Sequence, residues 1–395
     1  MTKVYSIKGL RKLYIAGIAN VNDFVKRYES EVDFIAYWKE NKNCLTPFCF
    51  DYRNQMVVFV ETPEHINLAT AHPFFYEAQR QHATKLYLVS FDSVKSLMEE
   101  TEGFDGKPIF LFSTGRCGST LLCNLMADNA DIVSVSEPDF FTQLPYLRDQ
   151  YGAEIDHELT QLSRALTLLL QAHIKTHSNG GITVFKLRSM CLEAAEMIAE
   201  SVPEADHIFL YRNANDTINS FLSVLSVHPL LFLARLLNSR FLPLLNYIPI
   251  GLISYIPGLK NNVEILAPLI KQPAYKGVGI GTGTSIFTLA WLSSLDKVLA
   301  LQNADQGFFK CVVRYDELQS DAFKVMAGVM ASLDLGGIDE PAKERMGKTL
   351  AKNSQAGSEM SSKGEKVLSE KDLGIIEQVL GKHSQISSAN FLLPN

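Results

Sequence analysis

The run Phe110 to Leu122, FLFSTGRCGSTLL, gathers glycines, hydroxyls and an arginine in a spacing that can hold phosphate. Pro108 to Phe112 is an apolar, strand-like segment, Ser113 to Ser119 a glycine-rich turn, and Thr120 to Met126 a helical pattern. The first N–H groups of a helix lack internal partners and point at an anion placed before them, and glycines let the backbone come close. Arg116 adds a fixed positive charge; Ser119 and Thr120 add hydroxyl donors at the helix start. The candidate anion-binding residues are therefore Ser113, Thr114, Gly115, Arg116, Cys117, Gly118, Ser119 and Thr120. The spacing Gly115-x-x-Gly118, with no lysine before Ser119, is not the G-x-x-x-x-G-K-[ST] loop of nucleotide triphosphatases. A plain left-handed turn before a helix is the bland alternative.

A second segment points the same way. Asp206 to Val224, DHIFLYRNANDTINSFLSV, reads as a short apolar strand over His207 to Tyr211, then Arg212, then a helix carrying Ser220 eight residues on. Ligands of parallel sheets sit outside the carboxyl ends of the strands, so Arg212 and Arg116 are aimed alike. A solvated surface arginine and an ordinary helix serine are the alternatives.

TGRCGST and YRNANDTINSF together resemble the two donor-binding signatures of the sulfotransferase family, enzymes that use 3′-phosphoadenosine-5′-phosphosulfate (PAPS). The resemblance covers roughly residues 105 to 395. It implies that the first run holds the 5′-phosphosulfate and that Arg212 and Ser220 hold the 3′-phosphate. It implies PAPS as co-substrate, no metal, and a P-loop-like sulfotransferase fold: a central parallel sheet with helices on both faces. In the family's cytosolic branch a strand ends Lys-Thr-His; here TVFKLR (Thr183 to Arg188) matches Lys186 to the lysine and puts Arg188 where the base would be. The letters IKTH occur at Ile174 to His177, but at the end of a helical pattern, which makes His177 a rival base. Other branches carry an E-P element after the loop, and VSVSEPDFF offers Glu137 as the base, with Asp139 behind it. Partial burial beside Pro138 and Phe140 would suit a carboxylate base. Asn353 to Gly364 falls where the family closes a loop over the donor, which makes Ser354, Gly357 and Lys363 candidate contacts.

These groups need a scaffold. From residue 108, strands at 108–112, 132–135, 182–186 and 207–211 alternate with helices at 119–128, 157–175, 190–201 and 215–226, the pattern of a parallel, helix-covered sheet. Ser285 to Gln302 reads as a long helix and Phe308 to Arg314 as a late strand. Residues 1–104 read as an accessory α+β region, and 105–395 as the sulfotransferase domain. In the former, Val21 to Glu40 has helical spacing, Cys49 to Val60 looks like a hairpin turning at Asn54-Gln55, and Pro73 to Glu100 looks partly helical.

Hydrophobic residues at 47% and charged residues at 20% can bury a large core, and the net charge of −6 offers nucleic acid no basic field. The six scattered cysteines read as free thiols, and His173 with His177 as a helix-surface pair without a third metal ligand. Gly277 to Gly283, GVGIGTG, misses the dinucleotide spacing and reads as a loop. Phe241 to Leu259 runs 19 residues without a charge, but its prolines oppose a continuous span. It suggests, within an insertion at 223–275, a lining for an apolar acceptor or a peripheral membrane contact. The N-terminal run MTKVYSIKGLRKLY has no apolar stretch of signal type, and the expected location is cytoplasmic. The reading is a PAPS-dependent sulfotransferase acting on a hydroxyl or amine of a small, rather apolar acceptor, with room for a homodimer. A phosphate-loop kinase and an inactive nucleotide-binding or membrane-associated interaction protein are the alternatives.

Overall fold

A computed structural model describes residues 1–395 except 12–16, 102, 130, 179, 226–248, 251, 253–259, 280–282, 353–367 and 395. The chain forms two compact units, Met1–Leu111 with Thr120–Asp206 and Ile338–Ser354, and Phe112–Ser119 with His207–Gly337 and Gln355–Asn395.

In the first unit, β1 (Thr2–Leu10), β2 (Phe24–Val32), β3 (Leu45–Asp51), β4 (Met56–Glu61) and β5 (Lys85–Ser90) make an antiparallel sheet in the order β2-β1-β5-β4-β3. The expected hairpin is β3 and β4, and Gln55 takes the left-handed turn position (φ 55°). The helix expected over Val21 to Glu40 is not formed. Phe24–Val32 is instead an edge strand paired to β1, and only Phe34–Asn41 (α1) is helical. The stretch from Pro73 holds α3 (Phe75–His82) and α4 (Phe91–Glu99), with β5 between them; α2 (Leu68–Ala71) precedes. Phe24, Phe48, Val58, Val60 and Leu86 pack one face of this sheet.

The second sheet is parallel, in the order β10-β9-β6-β8-β7, with β6 at Lys107–Ser113, β7 at Ile132–Ser136, β8 at Ile182–Lys186, β9 at Asp206–Tyr211 and β10 at Cys311–Arg314. Helices α5 (Ser119–Ala127), α6 (Asp139–Tyr151), α7 (Asp156–His177), α8 (Ala195–Ser201) and α9 (Ala214–Leu225) stand between successive strands, as the alternation requires. Of these, α6 had not been read from the sequence. β6, β8 and β9 are buried along most of their length, which is why they read as continuous apolar runs. Register sets the chemistry. Ser136 on β7 and Leu111 on β6 both stand opposite Lys186, so the residues after β7 and at the end of β8 arrive at one level. In the second unit, Arg314 stands opposite Tyr211, at the carboxyl ends of β10 and β9. Thr284–Ala304 is long and apolar enough to cross a membrane, and most of it, Trp291 included, is buried. The apolar run Phe241 to Leu259 lies outside the described residues except Pro249, Ile250 and Leu252, as does part of Gly277 to Gly283.

Candidate active site

The second unit carries the glycine loop and the Arg212 segment. Thr114 N–H donates to Leu210 O (3.2 Å) and Cys117 Sγ lies 3.4 Å from the same carbonyl, so the loop is fastened to β9. Gly115 (φ 73°), Arg116 (φ 52°) and Gly118 (φ 86°) are all left-handed. At Gly118 glycine is required twice over: a Cβ there would stand 2.1 Å from the Tyr315 ring. Arg116 Nε donates to Ser220 Oγ at 3.1 Å. The two segments that the sequence offered as separate signals thus meet. Ser113, Thr114, Cys117 and Ser119 have little solvent exposure, while Gly115, Arg116 and Gly118 are half-buried.

Arg212 is half-buried at the end of β9. Trp291 Nε1 donates to its carbonyl (2.8 Å), and its guanidinium lies 4.9 Å from the centre of the Tyr315 ring. One edge is paired with Asp216 at 3.1 Å, and its Nε is buried with no hydrogen-bond partner among the described residues. Asn213 caps α9 by accepting from Asp216 N–H, and its amide also reaches Asp316, which pairs with Arg314. Leu368, the first residue described after 353–367, donates its N–H to Asn219 Oδ1 (3.1 Å), one position before Ser220. Ser354, Gly357 and Lys363 themselves lie outside the described residues.

The first unit carries the carboxylates. Glu137 follows β7 with a left-handed backbone (φ 62°), and its N–H donates to Lys186 O at 2.7 Å. Its carboxylate pairs with Lys186 through one oxygen and stands 3.4 Å from Arg188 Nε through the other. The apolar setting expected from Pro138 and Phe140 is therefore replaced by two cations. Asp139 is fully buried; it is bound by Arg188 (2.9 and 3.0 Å) and by the N–H of Ala19 (2.6 Å). Burial pushes its carboxyl up, against the pull of Arg188. Sealed from solvent and doubly bound, Asp139 anchors Arg188 and is poorly placed to take a substrate proton. Burial works against the charge of Arg188, but Asp139 and Glu137 outweigh it and hold its pKa above the ordinary arginine value.

Two aromatic side chains complete this cluster, and sequence reasoning missed both. The Arg188 guanidinium lies 4.2 Å from the centre of the Tyr76 ring, and the Arg80 guanidinium lies 5.0 Å from that same ring. Lys186 Nζ stands 5.2 Å from the centre of the Phe74 ring. Arg80 is itself buried, paired with Asp23 (2.8 Å) and Glu77 (2.7 Å) and donating to Gly17 O (2.9 Å). The only sequence signal for this was the aromatic density after Pro73.

His177 ends α7, as the helical reading of IKTH required; its Nε2 lies 2.9 Å from Asn43 O. His173 corrects the expected surface pair: it is 1% exposed and its Nδ1 lies 3.1 Å from Lys42 O. Among the described residues no group of three or more His, Cys, Asp or Glu is placed to hold a metal ion. Thr120 starts the first unit's part of α5, and its Oγ1 is buried without a partner among the described residues.

No family model and no curated protein matches this chain. Solved structures do. A mouse sulfotransferase, SULT7A1, complexed with PAP is 13% identical with a TM-score of 0.36, over 73% of this chain and 88% of its own. Sulfotransferase STF9 from Mycobacterium avium is likewise 13% identical with a TM-score of 0.36, over 73% and 79%. A sulfotransferase from Alicyclobacillus acidocaldarius is 13% identical with a TM-score of 0.31, over 62% and 92%. The chain is thus similar to solved sulfotransferases, at identities and scores that leave its activity and ligands to be argued from its own side chains.

Proposed function

We propose that this chain is a sulfotransferase that moves a sulfuryl group from PAPS to a hydroxyl or amine of a small acceptor. The observation that carries the reading is the meeting of the glycine loop with the β9–α9 segment, with Arg116 Nε on Ser220 Oγ at 3.1 Å. Three further features suit a polyanion: left-handed glycines with no room for a side chain at Gly118, an arginine inside the loop, and a buried Nε on Arg212 with no partner among the described residues.

In this reading Ser113 to Ser119, with the backbone N–H of Thr120, would hold the 5′-phosphosulfate, and Arg212 and Ser220 the 3′-phosphate. Ser354, Gly357 and Lys363 would close over the nucleotide. The donor, when bound, supplies an activated sulfuryl group with a phosphate leaving group. The protein contributes position and charge. Arg116 cannot act as an acid, because its pKa stays above about 12, so it stabilises negative charge. Lys186 adds a second cation. Glu137, oriented by Lys186 and Arg188, accepts the acceptor's proton. The uncharged run at 241–259 is our reason for expecting a rather apolar acceptor. Asp216 beside Arg212 tempers the positive potential on that side.

The test is a titration with 3′-phosphoadenosine 5′-phosphate and with ATP, followed by turnover of labelled PAPS against an acceptor library. Selective binding of the 3′-phosphorylated nucleotide and labelled product are the expected results. Preference for ATP would turn the reading toward a kinase. Binding without turnover on any acceptor would turn it toward an inactive nucleotide-binding protein.

A further inference from the structure

We infer that the first unit holds a second, separate binding site: a cavity for a neutral, hydroxyl-rich molecule of sugar size. If the sulfotransferase reading holds, this molecule is the acceptor's reactive head. The cavity measures about 510 Å³, within the range of small-molecule sites. Its walls are the segment around α2, one face of α5, the β7 strand and the end of α7. Thr120, Cys123, Asn124 and Ala127 fall at helical spacing on that face of α5, and Ser134 with Ser136 are alternate residues of β7.

Two observations define the ligand's chemistry. First, Thr120 and Ser136 are both among the lining residues, the hydroxyl oxygen of each is buried, and neither oxygen has a hydrogen-bond partner among the described residues. Thr120 is only 5% exposed. An unmet buried hydroxyl costs about 1–3 kcal/mol, and a ligand hydroxyl, which both donates and accepts, would answer either one. Second, the described lining contains no Asp, Glu, Lys or Arg. Its histidines already have partners: His72 Nδ1 accepts from Phe74 N–H (3.0 Å), and His177 Nε2 lies 2.9 Å from Asn43 O. A charged ligand would lose its water here without gaining a counter-ion, whereas a neutral polyol would not.

The cavity also borders the carboxylate cluster. Ser136 immediately precedes Glu137 and stands opposite Lys186 in the sheet. The thiol of Cys123, in the cavity wall, feels the charges of both Lys186 and Glu137. Pro73, in another wall, adjoins the Phe74 ring that Lys186 faces. A hydroxyl reaching Ser136 therefore sits one residue from the proposed base. The apolar character expected of the acceptor then belongs to the rest of that molecule.

The identification as acceptor site rests on the proposed function, so binding and turnover are measured apart. Methyl α-D-glucopyranoside and myo-inositol are titrated into the full chain without donor and followed by ligand-observed NMR, with D-glucuronate and 1-hexanol as comparisons. Saturable binding of a neutral polyol is expected. It should weaken about tenfold in Thr120→Val/Ser136→Ala, the loss of two ordinary hydrogen bonds. Asn124→Trp, at an exposed position, should block the cavity if the double variant does not fold. The site is overturned if neither polyol saturates, if glucuronate or hexanol binds as tightly, or if neither variant changes binding. Polyol binding with no labelled product from PAPS on any acceptor of the library would uphold the cavity and sink the transferase reading. Labelled hexanol without polyol binding would do the reverse.

Discussion

In the proposed reaction Arg212 holds the 3′-phosphate and Glu137 takes the proton, and each role can be tested by a substitution that leaves its neighbours in place. Arg212→Ala should weaken 3′-phosphoadenosine 5′-phosphate binding by about 2 kcal/mol, the scale of a charge-assisted hydrogen bond. It should barely affect adenosine 5′-phosphate. Calorimetry showing equal losses for both nucleotides would remove the 3′-phosphate from Arg212. Glu137→Gln keeps shape and cannot accept a proton, so it should lose roughly 10²–10⁴-fold in rate while nucleotide affinity holds. A near-normal rate for Glu137→Gln with a dead His177→Ala would transfer the role to His177, against its place on Asn43 O. The convergence of the Arg116 loop with the Ser220 helix was legible in the sequence because each stands at a fixed offset from a strand end, and local spacing survives folding. Tyr76 and Tyr315 were not, since nothing in their own neighbourhood says which guanidinium will face their rings.

At the scale of elements, β6 through β9 and the helices between them were legible because strands buried on both faces are short apolar runs with helical periods between. The N-terminal sheet was harder. β2 is an edge strand with most of its residues exposed, and Val21, Phe24, Val25, Tyr28 and Val32 fall by coincidence at helical spacing. Its pairing with β1 decides the matter, and pairing between strands has no local signature. α6 carries Pro145 in its interior, where proline removes a helix hydrogen bond, yet Phe140, Phe141 and Leu144 hold it in the core. The helix α3 then does more than cover a sheet: it presents Tyr76 to Arg188 and buries Arg80 on Asp23. Burial raises the Asp23 carboxyl even with Arg80 beside it, so the pair contributes little net stability while each partner depends on the other. Arg80→Ala should cost about 3–5 kcal/mol in urea unfolding, because it strands a buried carboxylate. Adding Asp23→Ala should recover part of that loss. A double-mutant cycle with no coupling would show that the pair is incidental to how α3 is held.

For the molecule as a whole, pH should act on folding through a buried histidine one helical turn from His177. His173 is 1% exposed, its Nδ1 lies 3.1 Å from Lys42 O, and its Nε2 has no partner among the described residues. Burial, reinforced by neighbouring His177, pushes its pKa down to about 4 from an ordinary 6.5. The folded chain therefore binds fewer protons at this site than the unfolded chain between those two values. Stability rises with pH wherever the unfolded state binds more protons, so this contribution is fully present above about 6.5. It is lost progressively as pH falls toward 4, by an amount on the order of 3 kcal/mol. Asp139 and Asp23 act in the opposite sense: burial raises their carboxyls, so protonation relieves a penalty as the pH drops. A bare acid-unfolding curve mixes these effects, and the informative quantity is the difference between wild type and His173→Gln. Gln can still donate to Lys42 O but cannot take up a proton in this range. The variant should be less stable than wild type at pH 7.5, through imperfect packing, and the gap should close or reverse by pH 4.5 in parallel urea unfolding series. A gap that stays constant across that interval would mean that His173 titrates normally and that its burial imposes no proton penalty.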